Sequence, residues 1–228
     1  GSLGPAVEAR LAALRSDRVV PRVWERDHTL WKDDPAELGN RLGWLTIADD
    51  LAADASDLKL FAESVAAHGY TTAVLLGMGG SSLAPEVLHA TFGSAPGALD
   101  LKVLDSTDPE QILAVEQAID LEKTLFIVAS KSGSTLEPNC FKQYFFERVA
   151  ETVGRENAGR QFIAITDPGS GLEALANERG FRAVLHGDPE IGGRFSALSA
   201  FGMVPAALMG MDATLLLDTP PDLRTQCL

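Results

Sequence analysis

Two different hydrophobic rhythms divide the chain into an N-terminal part and a longer second part. In the first part apolar residues recur at helical spacing, and residues 44–68 are predicted to form one long amphipathic helix. Residues 5–20 show a weaker helical rhythm that Pro21 interrupts, and Pro35 indicates a further helix start. The pattern therefore predicts a helical extension over residues 1–69.

From residue 70 onward, short apolar runs alternate with helical patterns. Such alternation with short connections is typical of parallel strands joined by right-handed crossovers. We therefore predict a doubly wound α/β domain over residues 70–212, with a five-stranded parallel sheet between two helical layers, and a loop-like tail over residues 213–228. The predicted strands are 72–76, 100–104, 124–129, 161–166 and 182–185, and the predicted helices are 82–91, 109–118, 136–152, 170–179 and a buried last helix from Ser196 to about Leu208.

Composition and charge narrow the class of protein. Of the 228 residues 46% are hydrophobic and 7% aromatic, which favours an α/β core over an all-β sandwich. The formal charge of −13 opposes binding to nucleic acid or to an anionic membrane. No apolar run approaches the length of a membrane span, and no signal peptide is recognisable. Cys140 and Cys227 suggest neither a disulfide framework nor a metal site, so we expect a reducing cytoplasm.

A hydroxyl-rich loop follows the third predicted strand. Four hydroxyl side chains and Gly133 lie within residues 130–135, directly before a helix. The C-terminal ends of parallel strands are where α/β folds bind ligands, and unpaired N–H groups at a helix start can surround a phosphate. Ser134 and Glu137 also match a capping box, which is a purely structural role. Both interpretations stay open for this loop taken alone.

A second loop of the same kind follows the first predicted strand. The glycines of residues 77–80 allow a tight turn and a close backbone approach to a ligand. Ser81 or Ser82 is then expected to cap the next helix. Because both loops leave the same edge of one sheet, they can converge on a single anion.

The remaining strand ends carry less information about ligands. Residues 105–109 and 166–171 are good helix starts with Asp or Ser as the cap, and we interpret them as structural. Residues 192–193, a Gly-Gly pair, are followed by Arg194 just before a helix. A guanidinium there could clamp an oxyanion with two hydrogen bonds, although an exposed loop arginine is an equally good interpretation.

Three motifs, at residues 77–81, 130–137 and 192–196, occur in the order found in the glucose-6-phosphate isomerase family. Over residues 44–212 the chain resembles the first sugar isomerase (SIS) domain of that family, and most closely the bacterial isomerases fused behind a transaldolase. The resemblance implies a three-layer SIS fold and aldose–ketose isomerisation of glucose 6-phosphate and fructose 6-phosphate in glycolysis and gluconeogenesis. It also implies a cytoplasmic homodimer that uses no metal and no organic cofactor.

The resemblance also implies roles for individual residues. Arg194 matches the arginine that steadies negative charge on the enediolate intermediate, and Glu137 matches an acidic position beside the phosphate loop. Lys131 is expected to serve the ligand through its backbone more than through its side chain. The implied phosphate-binding residues are Gly80, Ser81, Ser82, Ser130, Lys131, Ser132, Gly133, Ser134 and Thr135.

The chain departs from the family pattern in two respects. Ser132 and Gly133 stand where the commoner isomerases have Thr and a bulky residue, which leaves the sugar specificity open. The family's general-base glutamate, its histidine and its C-terminal lysine lie in a second SIS domain, and none of the four histidines here matches them. We therefore expect a fragment that ends before the second SIS domain, binds sugar phosphate weakly and turns it over negligibly.

Two other functions remain possible at this point. SIS modules also occur in non-catalytic regulators that bind a sugar phosphate, although no DNA-binding helix-turn-helix is recognisable here. A dinucleotide-binding dehydrogenase would use Gly77, Gly79 and an acid such as Asp105, but the third glycine of that fingerprint is absent. A P-loop is excluded because no Gly-Lys-Ser/Thr sequence is present. The sequence leaves the preferred sugar phosphate and the oligomeric state open.

Overall fold

A computed structural model describes residues 2–218. The predicted loop-like tail over residues 213–228 is wrong for residues 213–218, which are helical, and its remainder, with Cys227, lies outside the described residues. The strands are β1 (Thr72–Gly77), β2 (Asp100–Leu104), β3 (Thr124–Ala129), β4 (Phe162–Thr166) and β5 (Ala183–His186). The α-helices are α1 (Gly4–Ser16), α2 (Val19–Trp24), α3 (Ile47–Ala52), α4 (Ala55–Ala67), α5 (Leu83–Phe92), α6 (Pro109–Gln117), α7 (Leu136–Val153), α8 (Arg155–Ala158), α9 (Gly171–Glu178) and α10 (Ala200–Leu208).

The five strands form one parallel sheet in the order β2-β1-β3-β4-β5. The predicted doubly wound parallel sheet is therefore confirmed. The order reverses between β1 and β3, where Gly77 pairs with Ala129 at the C-terminal ends of the two strands. In such sheets ligands bind outside the strand ends at this reversal. The two hydroxyl-bearing loops begin one residue later, so the topology brings them side by side.

Both faces of the sheet are covered by helices. In β1, Ala73 and Leu75 pack into the cluster that includes α4 and α10, whereas Val74 and Leu76 pack into the cluster that includes α7. Every residue of β3 is buried. The continuous apolar runs of the sequence follow from this arrangement, because a strand covered on both faces has no polar side.

The N-terminal part differs from the prediction of one long helix over residues 44–68, which is wrong. Residues 43–45 form a 3₁₀ turn, α3 ends at Ala52, and α4 begins at Ala55. α3 packs against the 3₁₀ segment Gly193–Leu198, whereas α4 packs against α10. One straight helix could not pack against both neighbours, so the chain turns between α3 and α4.

Three smaller expectations about helix boundaries are also wrong. The first helical segment breaks at Arg18, which has a positive φ of 51°, and Pro21 lies inside α2. Pro35 begins a single turn, with its carbonyl accepting from the Gly39 N–H at 2.8 Å. The last helix starts at Ala200, because Ser199 is extended and its hydroxyl accepts from the Phe201 N–H. No helix among residues 2–218 is long and apolar enough to cross a membrane.

Candidate functional site

The loops after β1 and β3 meet the Gly-Gly-Arg segment at a cleft of about 340 Å³. All three motifs from the sequence contribute to it. The described residues that line the cleft are Arg41, Met78, Gly80, Ser81, Lys131, Ser132, Thr135, Asp167, Pro189 and Gly193. Residues far apart in sequence therefore share one small polar cleft at the strand reversal.

The β1 loop and the Gly-Gly-Arg segment are in direct backbone contact. A Cβ on Gly80 would lie 2.1 Å from the carbonyl oxygen of Gly193, a distance that real Cβ atoms do not adopt. The buried hydroxyl of Ser196 lies 3.2 Å from the Gly80 carbonyl oxygen and 2.8 Å from that of Gly193, and it can donate to either. This contact fixes the position of the Arg194 backbone relative to the β1 loop.

The β3 loop is curled by its own hydroxyl groups. Ser130 Oγ donates to Thr135 Oγ1 at 3.1 Å, and the hydroxyls of Ser132 and Ser134 are 2.9 Å apart. Gly133 has a φ of +69°, and a Cβ there would lie 2.9 Å from the Leu172 backbone nitrogen. The loop conformation therefore requires glycine at this position.

The predicted capping box of Ser134 and Glu137 does not form. The N-cap residue of α7 is Thr135 rather than Ser134, and its hydroxyl accepts from Ser130 and caps no N–H. The Ser134 hydroxyl is paired with Ser132. Ser82 is the N-cap residue of α5, but its hydroxyl donates back to the Gly79 carbonyl at 3.2 Å and caps no N–H. The first N–H groups of both helices at the cleft are thus left without side-chain acceptors.

The two α-helices that follow β2 and β4 behave differently from the two at the cleft. Asp108 caps α6 by accepting from Glu110 N–H at 2.8 Å, and Ser170 caps α9 by accepting from Glu173 N–H at 3.1 Å. The predicted caps of these two loops are confirmed, while Asp167 of the second loop also lines the cleft. Side-chain caps are therefore present at α6 and α9 and absent at α5 and α7, the two helices that begin at the cleft.

Lys131 directs its side chain to a carboxylate and a carbonyl. Its ammonium pairs with Asp167 and donates to the Asp188 carbonyl oxygen at 2.9 Å. Its own carbonyl accepts from the Asp167 N–H at 3.0 Å and from the Thr166 hydroxyl at 3.3 Å. The backbone of Lys131 is therefore fixed at the cleft, while its charge is neutralised by Asp167.

The predicted phosphate-binding residues divide into those that line the cleft and those that support it. Gly80, Ser81, Lys131, Ser132 and Thr135 line it. The others lie outside its lining: Ser82 and Ser130 are buried, with 0% and 2% of their surface exposed, and Gly133 and Ser134 shape the turn.

Arg194 and Glu137 lie beside the cleft. Arg194 is exposed and forms no hydrogen bond or ion pair with any other residue of the 2–218 range. It lines an adjoining pocket of about 630 Å³, where Trp44 stacks on Phe195 with ring centroids 5.6 Å apart. Arg41, paired with Glu37, lines both spaces. Glu137 is half-buried in the first turn of α7.

Sequence reasoning missed two residues beneath the β3 loop. The amide of Asn139 donates to the carbonyls of Gly133 at 3.2 Å and Thr135 at 2.8 Å. Lys142 donates to Asn139 Oδ1 at 2.7 Å and is only 4% exposed. Burial, followed by the charge of Arg179, lowers the pKa of Lys142. The signal in the sequence was a lysine on the same helix face as Pro138 and Phe145, where an apolar residue is usual.

Metal ligation has no support in the described part of the chain. Within residues 2–218 no group of three or more His, Cys, Asp or Glu side chains is arranged to hold a metal ion. The polar groups of the cleft are hydroxyls, backbone amides, two cations and one carboxylate, Asp167, which is paired with Lys131.

A family model described as phosphoglucose isomerase matches residues 55–218, which is most of the chain. The chain belongs to the phosphoglucose isomerase family. Curated relatives named glucose-6-phosphate isomerase include one from Thermus thermophilus, 37% identical over 79% of this chain and 42% of the relative. Another, from Rubrobacter xylanophilus, is 31% identical over 92% of this chain and 49% of the relative. The chain thus spans about half the length of the curated relatives it matches.

Solved structures agree with this assignment. A protein from Thermus thermophilus, described as hypothetical, aligns over 100% of this chain and 52% of its own, with a TM-score of 0.81 and 30% identity. A glucose-6-phosphate isomerase from Chlamydia trachomatis aligns over 91% of this chain and 37% of its own, with a TM-score of 0.67 and 28% identity. The resemblance found in the sequence is confirmed, and the family favours isomerase over dinucleotide-binding chemistry. The domain boundaries at residues 69 and 212 stay predictions.

Proposed function

We propose that this chain is the sugar-phosphate-binding half of a glucose-6-phosphate isomerase, which interconverts glucose 6-phosphate and fructose 6-phosphate. The observation that carries the proposal is the cleft at the β1–β3 reversal. There, two helix starts without side-chain caps and the hydroxyls of Ser81, Ser132 and Thr135 lie beside the free guanidinium of Arg194.

Local donors explain how an acidic chain can hold a phosphate ester. The chain carries a formal charge of −13, so its overall field repels a dianion. The cleft offsets this with hydroxyl donors and with the positive ends of α5 and α7, whose first N–H groups are available. Lys131 contributes its backbone, since its ammonium is already paired with Asp167. The lining therefore recognises phosphate through short-range contacts, and Arg41 is its other cation, itself paired with Glu37.

Arg194 has the position and freedom to act on the sugar end of the ligand. Aldose–ketose isomerisation moves a proton between C1 and C2 and develops negative charge on the sugar oxygens. An unpaired guanidinium stabilises such charge through two parallel hydrogen bonds. Arg194 follows directly after Gly193, which lines the phosphate cleft, so one ligand can reach both.

The general base is expected to come from outside this chain. The carboxylates that line the cleft and the adjoining pocket are Asp167, paired with Lys131, and Glu37, paired with Arg41. Both carboxylates are already engaged by a cation, so neither is free to contact a substrate. We therefore propose that the missing half of the protein supplies the base and acid, that the longer protein is a cytoplasmic homodimer, and that proton transfer needs no metal or organic cofactor.

Calorimetric titration of the 228-residue chain with fructose 6-phosphate tests this proposal, with fructose as the matched ligand that lacks the phosphate. We expect weak binding of the phosphate ester, no detectable binding of fructose, and negligible turnover in a coupled assay. Adding the missing half of the protein should restore turnover. Equal binding of the two ligands would refute the phosphate site, and a kcat near typical enzyme values for the chain alone would refute the external base.

A further inference from the structure

Lys142 is a buried cation with no carboxylate partner in the described range. It lies on the inner face of α7 with 4% of its surface exposed. Within residues 2–218 no Asp or Glu oxygen lies within ion-pair distance of its ammonium, whose acceptor is the neutral Asn139 Oδ1 at 2.7 Å. The nearby charge of Arg179 is also positive. A buried charge without a counter-charge destabilises the fold, because it has lost its hydration.

Lys142 is linked to the candidate phosphate site through Asn139. Asn139 stands between the ammonium and the β3 loop, and its amide holds the carbonyls of Gly133 and Thr135 at 3.2 and 2.8 Å. These carbonyls would repel a phosphate if they turned toward the cleft. The Asn139 amide holds these two carbonyls toward α7. Lys142 fixes the orientation of the Asn139 amide, because an ammonium can pair only with its oxygen.

We propose that Asn139 and Lys142 are positioning residues for the phosphate-binding loop, and that the phosphate ester supplies the counter-charge that the buried Lys142 ammonium lacks. The inference rests on the proposed function, since it assumes that the cleft binds a phosphate. The buried ammonium would attract the phosphate from a distance. Among residues 2–218 the cations that line the cleft, Arg41 and Lys131, are both paired, and Arg194 lies in the adjoining pocket.

If the proposal holds, removing the charge of Lys142 should lower the affinity for phosphate and raise the stability of the fold. Replacing Lys142 with Met keeps the volume of the side chain and removes the uncompensated charge. The fold then becomes more stable, as happens when a strained or destabilised functional group is removed. The phosphate site at the same time loses an attraction that is appreciable through the protein interior. If Lys142 had a purely structural role, its replacement would not lower phosphate affinity while raising the stability of the fold.

The test measures the binding of inorganic phosphate and of fructose 6-phosphate, together with thermal unfolding, for the whole 228-residue chain and three variants. For Lys142→Met we expect affinity for both ligands to fall on the order of tenfold and the unfolding midpoint to rise by roughly 2–4 °C. For Asn139→Leu we expect a loss of affinity of similar size, because the hydrogen bonds to the carbonyls of Gly133 and Thr135 are both removed. The matched control is Lys59→Met, which removes an exposed charge on α4 and should change neither quantity.

The outcomes separate this inference from the function on which it rests. If the unmodified chain binds neither ligand, the proposed function fails and the inference fails with it. If the unmodified chain binds both and Lys142→Met binds them equally well, only the inference is overturned. A fall in both affinity and unfolding midpoint also overturns it, because that is the signature of a packing role. Should Lys142→Met not fold, Lys142→Gln keeps a donor for Asn139 without the charge, and it must show the same loss of affinity.

Discussion

Gly80 packs on the backbone of Gly193, so that a Cβ on Gly80 would come within 2.1 Å of the Gly193 carbonyl oxygen. The two glycines belong to different motifs and are brought together only by the fold. Their contact joins the β1 loop, which carries Ser81, to the segment that carries Arg194. The cleft therefore depends on the absence of one methyl group.

Gly80→Ala should disrupt this contact. The methyl group has a backbone atom as its neighbour, so one of the two loops must move, at a cost of about 1–3 kcal/mol in the free energy of unfolding. Urea denaturation measures the loss, and phosphate titration should show weakened binding. Gly193→Ala is the matched control for stability, since nothing lies within 4 Å of its Cβ position and the change should stay within about 0.5 kcal/mol. Equal stability of Gly80→Ala and the unmodified chain would contradict the contact.

Ser132→Ala should weaken phosphate binding, and it also removes the exposed hydrogen bonds of Ser132 with Ser134. The exposed hydroxyl of Ser132 lines the cleft, and a hydrogen bond to a charged group contributes about 1.5–3 kcal/mol. Titration calorimetry with fructose 6-phosphate should therefore show a loss of roughly 10- to 150-fold in affinity. Ser64→Ala serves as the control, because that exposed hydroxyl on α4 bonds only to the Phe61 carbonyl among residues 2–218. Unchanged affinity in Ser132→Ala would remove this residue from the site.

Arg194→Met should affect the sugar end of the ligand selectively. The guanidinium is exposed and has no partner among residues 2–218, so its removal should leave the free energy of unfolding within about 0.5 kcal/mol. Affinity for 6-phosphogluconate, which carries a carboxylate at the sugar end, should fall about tenfold or more. Affinity for inorganic phosphate should stay the same, which makes phosphate the internal control. An equal fall for both ligands would place Arg194 on the phosphate instead.

Gly133→Ala should strain the β3 loop. Its φ of +69° costs a side chain about 1–2 kcal/mol, and the new Cβ would also lie 2.9 Å from the Leu172 nitrogen. Gly171→Ala is a matched control at the first position of α9, where nothing lies within 4 Å and φ is ordinary. Denaturant midpoints should fall for Gly133→Ala and hold or rise slightly for Gly171→Ala. A tolerated Gly133→Ala would mean that the loop can adopt another conformation.

Asp27 should make stability depend on pH in acid. Hydrogen bonds from Thr29 and then Arg22, both at 2.6 Å, lower the pKa of Asp27 to about 2. A carboxyl with a depressed folded pKa stabilises the fold above its unfolded pKa of about 3.9, and this stability is lost as the pH falls toward 2. The unfolding midpoint of Asp27→Asn should therefore lie below that of the unmodified chain at pH 6 and approach it near pH 2. Thr29→Val should show the same convergence, and parallel pH curves would exclude this role.

The strands could be predicted because the signal is local and strong. Runs such as residues 124–129 are buried on both faces, and their boundaries agree with the prediction within one residue. The convergence of the two loops followed from parallel strands ending at one edge. Helical periodicity, by contrast, contained no sign of the turn at residues 53–54, because α3 and α4 keep the same rhythm while packing on different neighbours.

Details of the site depended on choices that the sequence leaves open. Ser134 could equally cap α7 or pair with Ser132, and only the curled loop decides between them. Lys142 was missed since a single lysine in a helix is usually exposed, and its burial depends on how α7 rotates against the sheet. Tertiary packing decides between these alternatives, and a short stretch of sequence does not determine tertiary packing.

The placement of β1 between β2 and β3 has a consequence for how the protein is made. A ribosome that has released only residues 1–123 has produced β1 and β2 but not the strand that completes the other side of β1. The cleft, whose lining extends to Gly193, cannot be complete until synthesis has passed that residue, and β1 stays unpaired on one side until β3 has been released. Until then a bare strand edge is open to wrong partners, and we expect nascent chains of this intermediate length to be the ones that most need chaperones.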